Sequence, residues 1–397
     1  MRNLRKASNK LCVLGCLVLS AHAWAQYSPH VVTIPMQLEL ERPYIDVMLT
    51  GPGGKAVRAH AWVDTGGGAI LLSAELAQRL DLKPGKITHE EGHILAPVNV
   101  PGLRIGDMPV GLTQARAFVV TDEPHALDNT DADLALPASV LRNDTVVFNY
   151  PRHTFTIAEP GQLHPEGTEV KAYIGQSGMP VIWLTVASQT HGFLLDTGGQ
   201  FCMISFANII DWMKQRPAWV HVHGAYGPGN MLLQGDSKEE MLRIGEMDWG
   251  PFQIKNAGTV SRPVGAYEKW MSDMVDKPII GSIGGNVLRD FRVTIDYPSG
   301  KIYLQHQKSQ QNPTLDMVKV TLVNAPQGGY EIAGAAGGVR DIMPGDRLVK
   351  IDDQQVSELP YYRVADLLSG KSGKTHKLAL IREGKSLTVK ARVRSVF

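Results

Sequence analysis

Cysteine and net charge are both scarce in this sequence. Three cysteines occur among 397 residues, and the 40 basic side chains nearly balance the 39 acidic ones, for a net charge of +1. This balance provides no strongly basic surface, so we expect no nucleic-acid partner. The third cysteine, Cys202, has no base predicted beside it, and we interpret it as a small buried apolar residue. With 43% hydrophobic and 20% charged residues, the composition is that of a globular chain of two to four domains.

The sequence also lacks an apolar run long enough to cross a bilayer. A spanning helix needs about 20 residues, whereas the apolar stretch Leu11 to Ser20 is much shorter. Basic residues in Met1 to Lys10 precede it and the small-x-small triplet Ala23-Trp24-Ala25 follows it, as in a cleaved signal peptide. We predict that residues 1–25 are a signal peptide and that the protein is exported, to the periplasm or beyond the cell, with no stable membrane span. A retained anchor is the alternative.

One short motif occurs twice. Ala61-Trp62-Val63 leads into Asp64-Thr65-Gly66-Gly67, and Phe193-Leu194-Leu195 leads into Asp196-Thr197-Gly198-Gly199. In both places an apolar segment runs into a short acid and glycines, which predicts a buried strand that ends in a tight loop presenting a carboxylate. Two such loops predict two carboxylates, Asp64 and Asp196, that face each other.

The sequence around these motifs is also duplicated. Tyr150-Pro151 and Tyr297-Pro298 each lie at the turn of a predicted hairpin, residues 145–157 and 292–304. A helix is predicted after each acid, over Ser73 to Leu80 and Ser205 to Gln215, with the serine as N-cap. We therefore divide this part of the chain into a first lobe, residues 26–160, and a second lobe, residues 161–304.

These features together resemble the retropepsin-type aspartic proteases. The resemblance is carried by Asp-Thr-Gly after an apolar strand, by Ile279-Ile280-Gly281-Ser282 and by Phe291-Arg292-Val293-Thr294-Ile295-Asp296-Tyr297-Pro298. Two tandem copies are similar to the bilobal arrangement of the pepsin-like enzymes. The resemblance implies a mostly β fold with two retropepsin-like β-barrel lobes related by pseudo-twofold symmetry. It also implies an aspartic endopeptidase that acts on protein or peptide substrates without a metal or other cofactor.

The chemistry of such a site follows from two close carboxyl groups. Two carboxylates a few ångströms apart cannot both be ionised comfortably, so Asp64 and Asp196 would share one proton. One would accept a proton from water while the other donates to the peptide carbonyl. The sequence leaves open which of them is protonated. By the family pattern the threonines hydrogen-bond across the loops and the glycines allow tight turns; these supporting residues are Thr65, Thr197, Gly66 and Gly198.

Two departures from that pattern leave a second interpretation open. The family usually has alanine or serine after Asp-Thr-Gly, whereas this chain has Gly67 and Gly199, which could loosen both loops. In the first lobe, Asp133-Leu134 stands opposite Ile280-Gly281, so the strand that should brace the first loop is altered. A catalytically inactive peptide-binding protein of the same fold is therefore the main alternative.

A third interpretation rests on His89-Glu90-Glu91-Gly92-His93. This segment satisfies the H-E-x-x-H pattern, in which two histidines one helical turn apart bind zinc and the glutamate acts as base. The pattern requires a helix, but Gly92 interrupts the segment and prolines lie on both sides of it. We therefore expect loop residues here rather than a zinc protease site with His89, Glu90 and His93.

The second lobe contains a glycine-rich stretch from His223 to Asn230. Its glycines suit a mobile tip, and Tyr226 could lie over a bound peptide. We include Tyr226 as a weak substrate-binding candidate, with a plain surface loop as the alternative.

Residues 305–314 are rich in glutamine and are predicted to be a linker. The remainder, residues 315–397, resembles a PDZ domain of the bacterial protease-associated type, on the strength of Met343-Pro344-Gly345-Asp346-Arg347-Leu348-Val349-Lys350-Ile351-Asp352 and Arg382-Glu383-Gly384-Lys385. Such domains bind a peptide C-terminus by adding it to a sheet edge. The resemblance places the carboxylate at Gln327 to Tyr330, and packing against the protease is the alternative role.

Overall fold

The computed structural model describes residues 30–90, 93–112, 115–121, 127, 130–307, 315–336 and 341–397. Within them the chain is mostly β, with 47% strand and 15% helix, and it includes a six-stranded β-barrel and a half-barrel. The mostly β fold predicted from the sequence is confirmed. The predicted signal peptide and most of the predicted linker lie outside the described residues.

The first half of the chain consists mainly of short strands. Its elements are β1 (Val31–Pro35), β2 (Gln37–Glu39), β3 (Arg42–Thr50), β4 (Ala56–Asp64), β5 (Ile70–Leu72), α1 (Ala74–Arg79), β6 (Thr88–Glu90), β7 (His93–Pro97), β8 (Gly102–Ile105), β9 (Met108–Val110), β10 (Ala117–Val120), β11 (Leu134–Pro137), α2 (Ala138–Leu141), β12 (Thr145–Asn149) and β13 (Thr154–Ala158). Helix α1 begins as predicted, because the Ser73 hydroxyl accepts the Leu76 N–H at 3.1 Å.

The second half follows the same pattern with a longer helix after the acid. Its elements are β14 (Thr168–Val170), β15 (Ala172–Ile174), β16 (Pro180–Val186), β17 (Gln189–Leu195), β18 (Cys202–Ser205), α3 (Phe206–Gln215), β19 (His221–His223), β20 (Glu240–Trp249), β21 (Phe252–Arg262), a π-helix (Ala266–Met271), α4 (Ser272–Val275), β22 (Gly281–Ile283), α5 (Gly285–Leu288), β23 (Phe291–Asp296) and β24 (Lys301–His306). The predicted capping bond of Ser205 is absent, since its hydroxyl bonds the Glu268 carboxylate instead.

The C-terminal region forms a small sheet and one amphipathic helix. Its elements are β25 (Asp316–Met317), β26 (Val320–Asn324), β27 (Tyr330–Ala335), β28 (Arg347–Ile351), β29 (Gln354–Gln355), α6 (Tyr361–Leu368), β30 (Thr375–Arg382), β31 (Lys385–Arg392) and β32 (Arg394–Ser395). Helix α6 follows Pro360 directly, and β30 and β31 form a hairpin that turns at Glu383-Gly384.

One six-stranded sheet joins the two halves, in the order β1-β13-β12-β23-β24-β14. The two predicted hairpins, β12 with β13 and β23 with β24, lie side by side in it, because β12 pairs antiparallel with β23. Their inward side chains, Phe148, Phe155 and Ile295 among them, are fully buried. This shared sheet fixes the first half against the second and so fixes the distance between the two acid-bearing strands.

Each half also has a sheet of its own, and the acid-bearing strand lies inside it. In the first half β4 pairs with β3 and, in parallel, with β11; in the second half β17 pairs with β16 and, in parallel, with β22. The altered segment Asp133-Leu134 therefore still provides the bracing strand of the first half. Asp133 replaces an apolar residue by accepting the His60 N–H at 2.8 Å and an Arg79 N–H at 2.9 Å.

The C-terminal region packs against residues 224–239, which connect β19 with β20; we call them the 224–239 segment. The buried carboxamide of Asn230 donates to the Leu322 carbonyl at 2.9 Å and accepts the Leu322 N–H at 2.7 Å. Thr321 and Tyr361 donate from their hydroxyls to the carbonyls of Ala225 and Gly227. Asn230 thus pairs with β26 as a neighbouring strand would, and it joins the C-terminal region to the second half.

We expect Asn230→Ala to destabilise this junction by about 3 kcal/mol, because it leaves the buried N–H and C=O of Leu322 without partners. Chemical denaturation of the full chain measures the change. Tyr361→Phe is the matched control from the same junction, since it removes a single bond to the Gly227 carbonyl and should cost much less. Equal stability of Asn230→Ala and the unmodified chain would contradict the expectation.

Candidate active site

The two aspartates lie at the carboxyl ends of β4 and β17. Parallel pairing of β11 with β4 ends at Pro137 opposite Asp64, and the Asp196 N–H continues the β17 pairing by donating to the Ile283 carbonyl at 3.1 Å. The predicted arrangement of an apolar strand that ends in a carboxylate is therefore present in both halves. Asp196 is only 7% exposed, whereas Asp64 is half-buried and faces a cavity.

The two loops hold each other through their threonines. The Thr65 N–H donates to the Thr197 hydroxyl at 3.1 Å, and the Thr197 N–H donates to the Thr65 hydroxyl at 3.0 Å. Each hydroxyl in turn donates across to the opposite strand, Thr65 to the Leu195 carbonyl at 2.6 Å and Thr197 to the Val63 carbonyl at 2.7 Å. Both threonines are fully buried. The loops are thus locked in register by four reciprocal bonds.

Glycine is required where each loop crosses the other carboxylate. A Cβ atom on Gly66 would lie 2.8 Å from Oδ1 of Asp196, and one on Gly198 would overlap the carboxylate of Asp64. Any side chain at either position would push a carboxyl group away from the cleft. The predicted supporting residues of both halves are therefore brought together around the two acids.

Gly67 and Gly199 each lie close against the carboxylate of their own loop. A Cβ atom at these positions would lie 2.9 Å and 3.0 Å from the outer oxygens of Asp64 and Asp196, so the backbone approaches each carboxylate closely. The Gly199 N–H uses this approach to donate to Oδ1 of Asp196 at 3.0 Å, and the Gly66 N–H donates to Oδ1 of Asp64 at 2.9 Å. In each loop a backbone N–H is thus bonded to the carboxylate that the loop presents.

The electrostatics of the two acids are linked. Burial raises the pKa of Asp64, and the neighbouring charge of Asp196 raises it further. Burial also raises the pKa of Asp196, while hydrogen bonds from the Gly199 N–H and the Ser282 hydroxyl oppose that rise. The two carboxyl groups act on each other, since each shifts the pKa of the other. A pair of this kind retains one proton over a range of pH in which isolated aspartates are fully ionised.

An apolar cavity of about 220 Å³ opens beside Asp64. Arg116 is the charged residue at its edge apart from Asp64 itself, and Trp270 is 48% exposed beside it. The remaining lining side chains are apolar or small: Trp62, Gly66, Gly67, Gly68, Ala69, Leu71, Leu95, Phe118, Val120, Ala135, Pro137, Met271 and Met274. The cavity has the size and surface to hold an apolar side chain of a bound peptide next to the carboxyl pair.

Tyr226 is placed away from this cavity. Its side chain is 4% exposed, its hydroxyl donates to the His223 carbonyl at 2.9 Å, and it does not line the cavity beside Asp64. It belongs to the 224–239 segment, which the C-terminal region covers. The weak substrate-binding assignment of Tyr226 therefore has no support from its position.

The segment with the H-E-x-x-H pattern forms a hairpin of two strands. Strands β6 and β7 pair antiparallel, with His89 opposite Ile94 and Glu90 opposite His93. The expectation that this segment is not helical is confirmed, but the expected loop is wrong, because His89, Glu90 and His93 lie in strands. In the described part of the chain, no group of three or more histidine, cysteine or acidic residues is placed to hold a metal ion.

Cys202 is buried, as predicted. Burial raises the pKa of its thiol to about 12, so the thiolate needed for nucleophilic attack is not formed at ordinary pH. The thiol bonds the amide oxygen of Asn286 at 3.2 Å and has a structural role below the Asp196 loop.

Two residues at the site were not assigned from the sequence. Ser282 belongs to an otherwise apolar motif, yet its hydroxyl lies near enough to Asp196 to lower the pKa of that carboxyl group. Tyr267 lies in the π-helix, for which the sequence gives no signal, and its hydroxyl lies 3.0 Å from that of Ser282. A polar residue inside an apolar strand was the one signal that could have indicated Ser282.

Among the described residues, no helix is long and apolar enough to cross a membrane. Comparison of the chain with protein-family models and with curated protein sequences gives no match. The assignment of a function therefore rests on the geometry of the two Asp-Thr-Gly-Gly loops.

Proposed function

We propose that this protein is an aspartic endopeptidase of the retropepsin-like type. The observation that carries the proposal is the set of four reciprocal threonine bonds, which holds the loops of Asp64 and Asp196 against each other at the edge of an apolar cavity. A purely structural role does not explain two buried acids that face each other with no base between them, because such an arrangement costs stability. The arrangement suits a site in which the carboxyl pair itself performs acid and base chemistry.

The reaction uses one proton shared by the pair. The ionised carboxylate accepts a proton from a water molecule as the water oxygen attacks the carbonyl carbon of the peptide. The protonated carboxyl group donates its proton to the carbonyl oxygen, which gives a tetrahedral diol. Collapse of the diol breaks the C–N bond as one carboxyl group gives its proton to the leaving nitrogen and a diol hydroxyl gives its proton to the other carboxylate, which restores the singly protonated pair.

We further propose that the two halves are lobes related by a pseudo-twofold axis. This is supported by corresponding pairings, since β11 lies parallel to β4 as β22 lies parallel to β17. It is also supported by the threonine bonds, which are the same in both directions. The substrates are proteins or peptides, and the apolar cavity receives a side chain next to the cleaved bond.

We propose export on the basis of the N-terminal sequence pattern, and a PDZ-like C-terminal domain on the basis of the C-terminal one. The order β26-β27-β28-β30-β31 leaves both edges of β27 paired, and residues 325–329 form the turn between β26 and β27. A peptide cannot add to β27 while β26 is in place. The contacts of β26 with the 224–239 segment therefore favour the packing role of this domain over peptide capture.

The pH dependence of hydrolysis follows from the shared proton. Activity is expected while the pair holds one proton, and burial raises the pKa of Asp64, so the alkaline limb of kcat/KM should lie above the ordinary aspartate range of about 4. Acidification should reduce activity once both carboxyl groups are protonated, because the base is then lost. A pH series of kcat/KM with a peptide substrate measures both limbs. An optimum below pH of about 3 would contradict this expectation.

The proposed function is tested by incubating the chain that begins at Gln26 with a peptide library, across pH 4 to 8. We expect cleavage that persists with a metal chelator and with thiol and serine reagents, and that stops with a peptide analogue bearing a hydroxyl in place of the cleaved bond. Inhibition by the chelator would contradict the carboxyl-pair mechanism. Binding of the analogue without any cleavage would instead identify the inactive peptide-binding protein.

A further inference from the structure

A pair of hydroxyl groups lies behind Asp196. Ser282 is fully buried, and its hydroxyl lowers the pKa of the neighbouring Asp196 carboxyl group. The Tyr267 hydroxyl lies 3.0 Å from the Ser282 hydroxyl, and the Tyr267 side chain is 6% exposed. A Ser282 hydroxyl that accepts the Tyr267 proton is free to donate its own proton to Asp196.

The strand pairing explains why Ser282 reaches Asp196. Ser282 pairs in parallel with Leu194, two residues before Asp196, so its side chain lies on the same face of the sheet as the carboxylate. The corresponding residue of the first half is Ala135, which pairs with Trp62, two residues before Asp64. Alanine has no hydroxyl, so the first half cannot make this bond at Asp64.

Tyr267 is fixed by the π-helix on which it lies. The Ser272 hydroxyl donates to the Tyr267 carbonyl at 2.7 Å and accepts the Ile279 N–H at 2.9 Å. Glu268 binds the Ser205 hydroxyl and accepts the Gly265 N–H at 2.9 Å. Isolated π turns are rare and are often found at functional sites. This one holds the Tyr267 ring in place on the side of the cleft that belongs to the second half.

We propose that Ser282, oriented by Tyr267, is a positioning residue that makes Asp196 the ionised member of the pair and leaves the shared proton on Asp64. This inference rests on the proposed endopeptidase function. It assigns the roles that the sequence left open: Asp196 accepts the proton of the attacking water, and Asp64 donates to the carbonyl oxygen of the substrate. Hydrogen bonds to an ionised acceptor are stronger than those to a neutral one, so the Ser282 bond favours charge at Asp196.

The other groups that face the pair do not reverse this preference. Among the described residues, Tyr150 and Cys202 interact with the charge of Asp196 and Arg42 with that of Asp64. Arg262 interacts with Tyr267, and its guanidinium is itself bonded to Asp236. Burial keeps Tyr150 and Cys202 protonated and neutral. Arg42 acts on Asp64, where its charge opposes but does not cancel the effect of burial. Asp196 thus has a hydroxyl donor, Ser282, on the neighbouring strand. The equivalent residue beside Asp64 is Ala135, which has no hydroxyl.

The test compares Ser282→Ala, Tyr267→Phe and Ser282→Thr by their pH profiles. Loss of a hydrogen bond to a charged group, worth about 1.5–3 kcal/mol, should move the acidic limb of kcat/KM upward by one to two pH units in Ser282→Ala. Tyr267→Phe should move it less, in the same direction, and Ser282→Thr should restore it because the hydroxyl is kept. Ala135→Ser is the matched control at the other acid and should move the alkaline limb downward.

Carboxyl protonation is measured in parallel by ¹³C NMR of aspartate-labelled protein, with Asp196 assigned through Asp196→Asn. We expect the Asp196 resonance to titrate at higher pH in Ser282→Ala than in the unmodified protein. An unmoved Asp196 titration in a folded variant would overturn the inference, and so would a loss of activity with both limbs unchanged. The NMR titration needs no substrate, so an absence of peptide cleavage by the unmodified protein would count against the proposed function alone.

Discussion

Asp196→Asn and Asp64→Asn are each expected to lower peptide hydrolysis by at least about 10³-fold, the upper part of the range for loss of a general acid or base. Asparagine keeps the size and the acceptor oxygen of the aspartate, so the threonine bonds that lock the loops remain. It can neither accept the proton of the attacking water nor donate a shared proton. Initial rates of peptide cleavage at the pH optimum measure the loss.

The double variant should be no slower than the slower single variant, because residues that act as a unit are not additive. Stability separates a chemical effect from misfolding. Burial raises the pKa of both aspartates, so the charged pair costs stability as pH rises through their folded-state pKa values. At pH 7 each asparagine variant should therefore unfold at a temperature no lower than the unmodified protein. A single variant that keeps activity within about tenfold would exclude a mechanism that needs both carboxyl groups.

The sequence allowed the acid-bearing strands and the paired hairpins to be predicted, because both depend on local patterns. An apolar run before Asp64 and before Asp196 reports a buried strand, and the turns at Tyr150-Pro151 and Tyr297-Pro298 report hairpins. These features are decided by neighbours in the chain. The structure has them where they were expected.

The misjudged role of Asp133 depends on residues that are distant in sequence. Asp133 could be judged disruptive only while its partners His60 and Arg79 were unknown. A local sequence pattern indicates conformational preference, whereas Asp133 accepts hydrogen bonds from groups that tertiary packing brings to it.

The role of the 224–239 segment could not be predicted either, because its contacts are also with residues that are distant in sequence. Its glycines and Tyr226 match a mobile tip, yet Asn230 fixes it to Leu322 of the C-terminal sheet. The Asn230 carbonyl also accepts the Gln200 side-chain amide at 2.9 Å, and Gln200 follows the Asp196 loop directly. The C-terminal domain is therefore connected to the active-site loop through one buried asparagine, a connection between three distant parts of the sequence.

Gly198→Ala is expected to damage both the site and the fold. Its Cβ atom would overlap the Asp64 carboxylate, well inside the 3.0 Å that Cβ atoms keep from other heavy atoms. Thr197 is locked by three hydrogen bonds and cannot shift the loop away, so the strain falls on Asp64. We expect a destabilisation of about 1–3 kcal/mol, typical of overpacking, and a loss of kcat of about 10²-fold, as for a small displacement of a catalytic group.

Gly53→Ala is the matched control for this substitution. A Cβ atom there meets nothing within 4 Å, and the residue does not have a positive φ, so the change should be neutral or slightly stabilising. Chemical denaturation and peptide hydrolysis are measured on both variants. Gly66→Ala should behave as Gly198→Ala does, because its Cβ atom would press on Asp196 from the other side. If Gly198→Ala instead hydrolysed peptides as fast as Gly53→Ala does, catalysis would not require glycine where each loop lies against the opposite carboxylate.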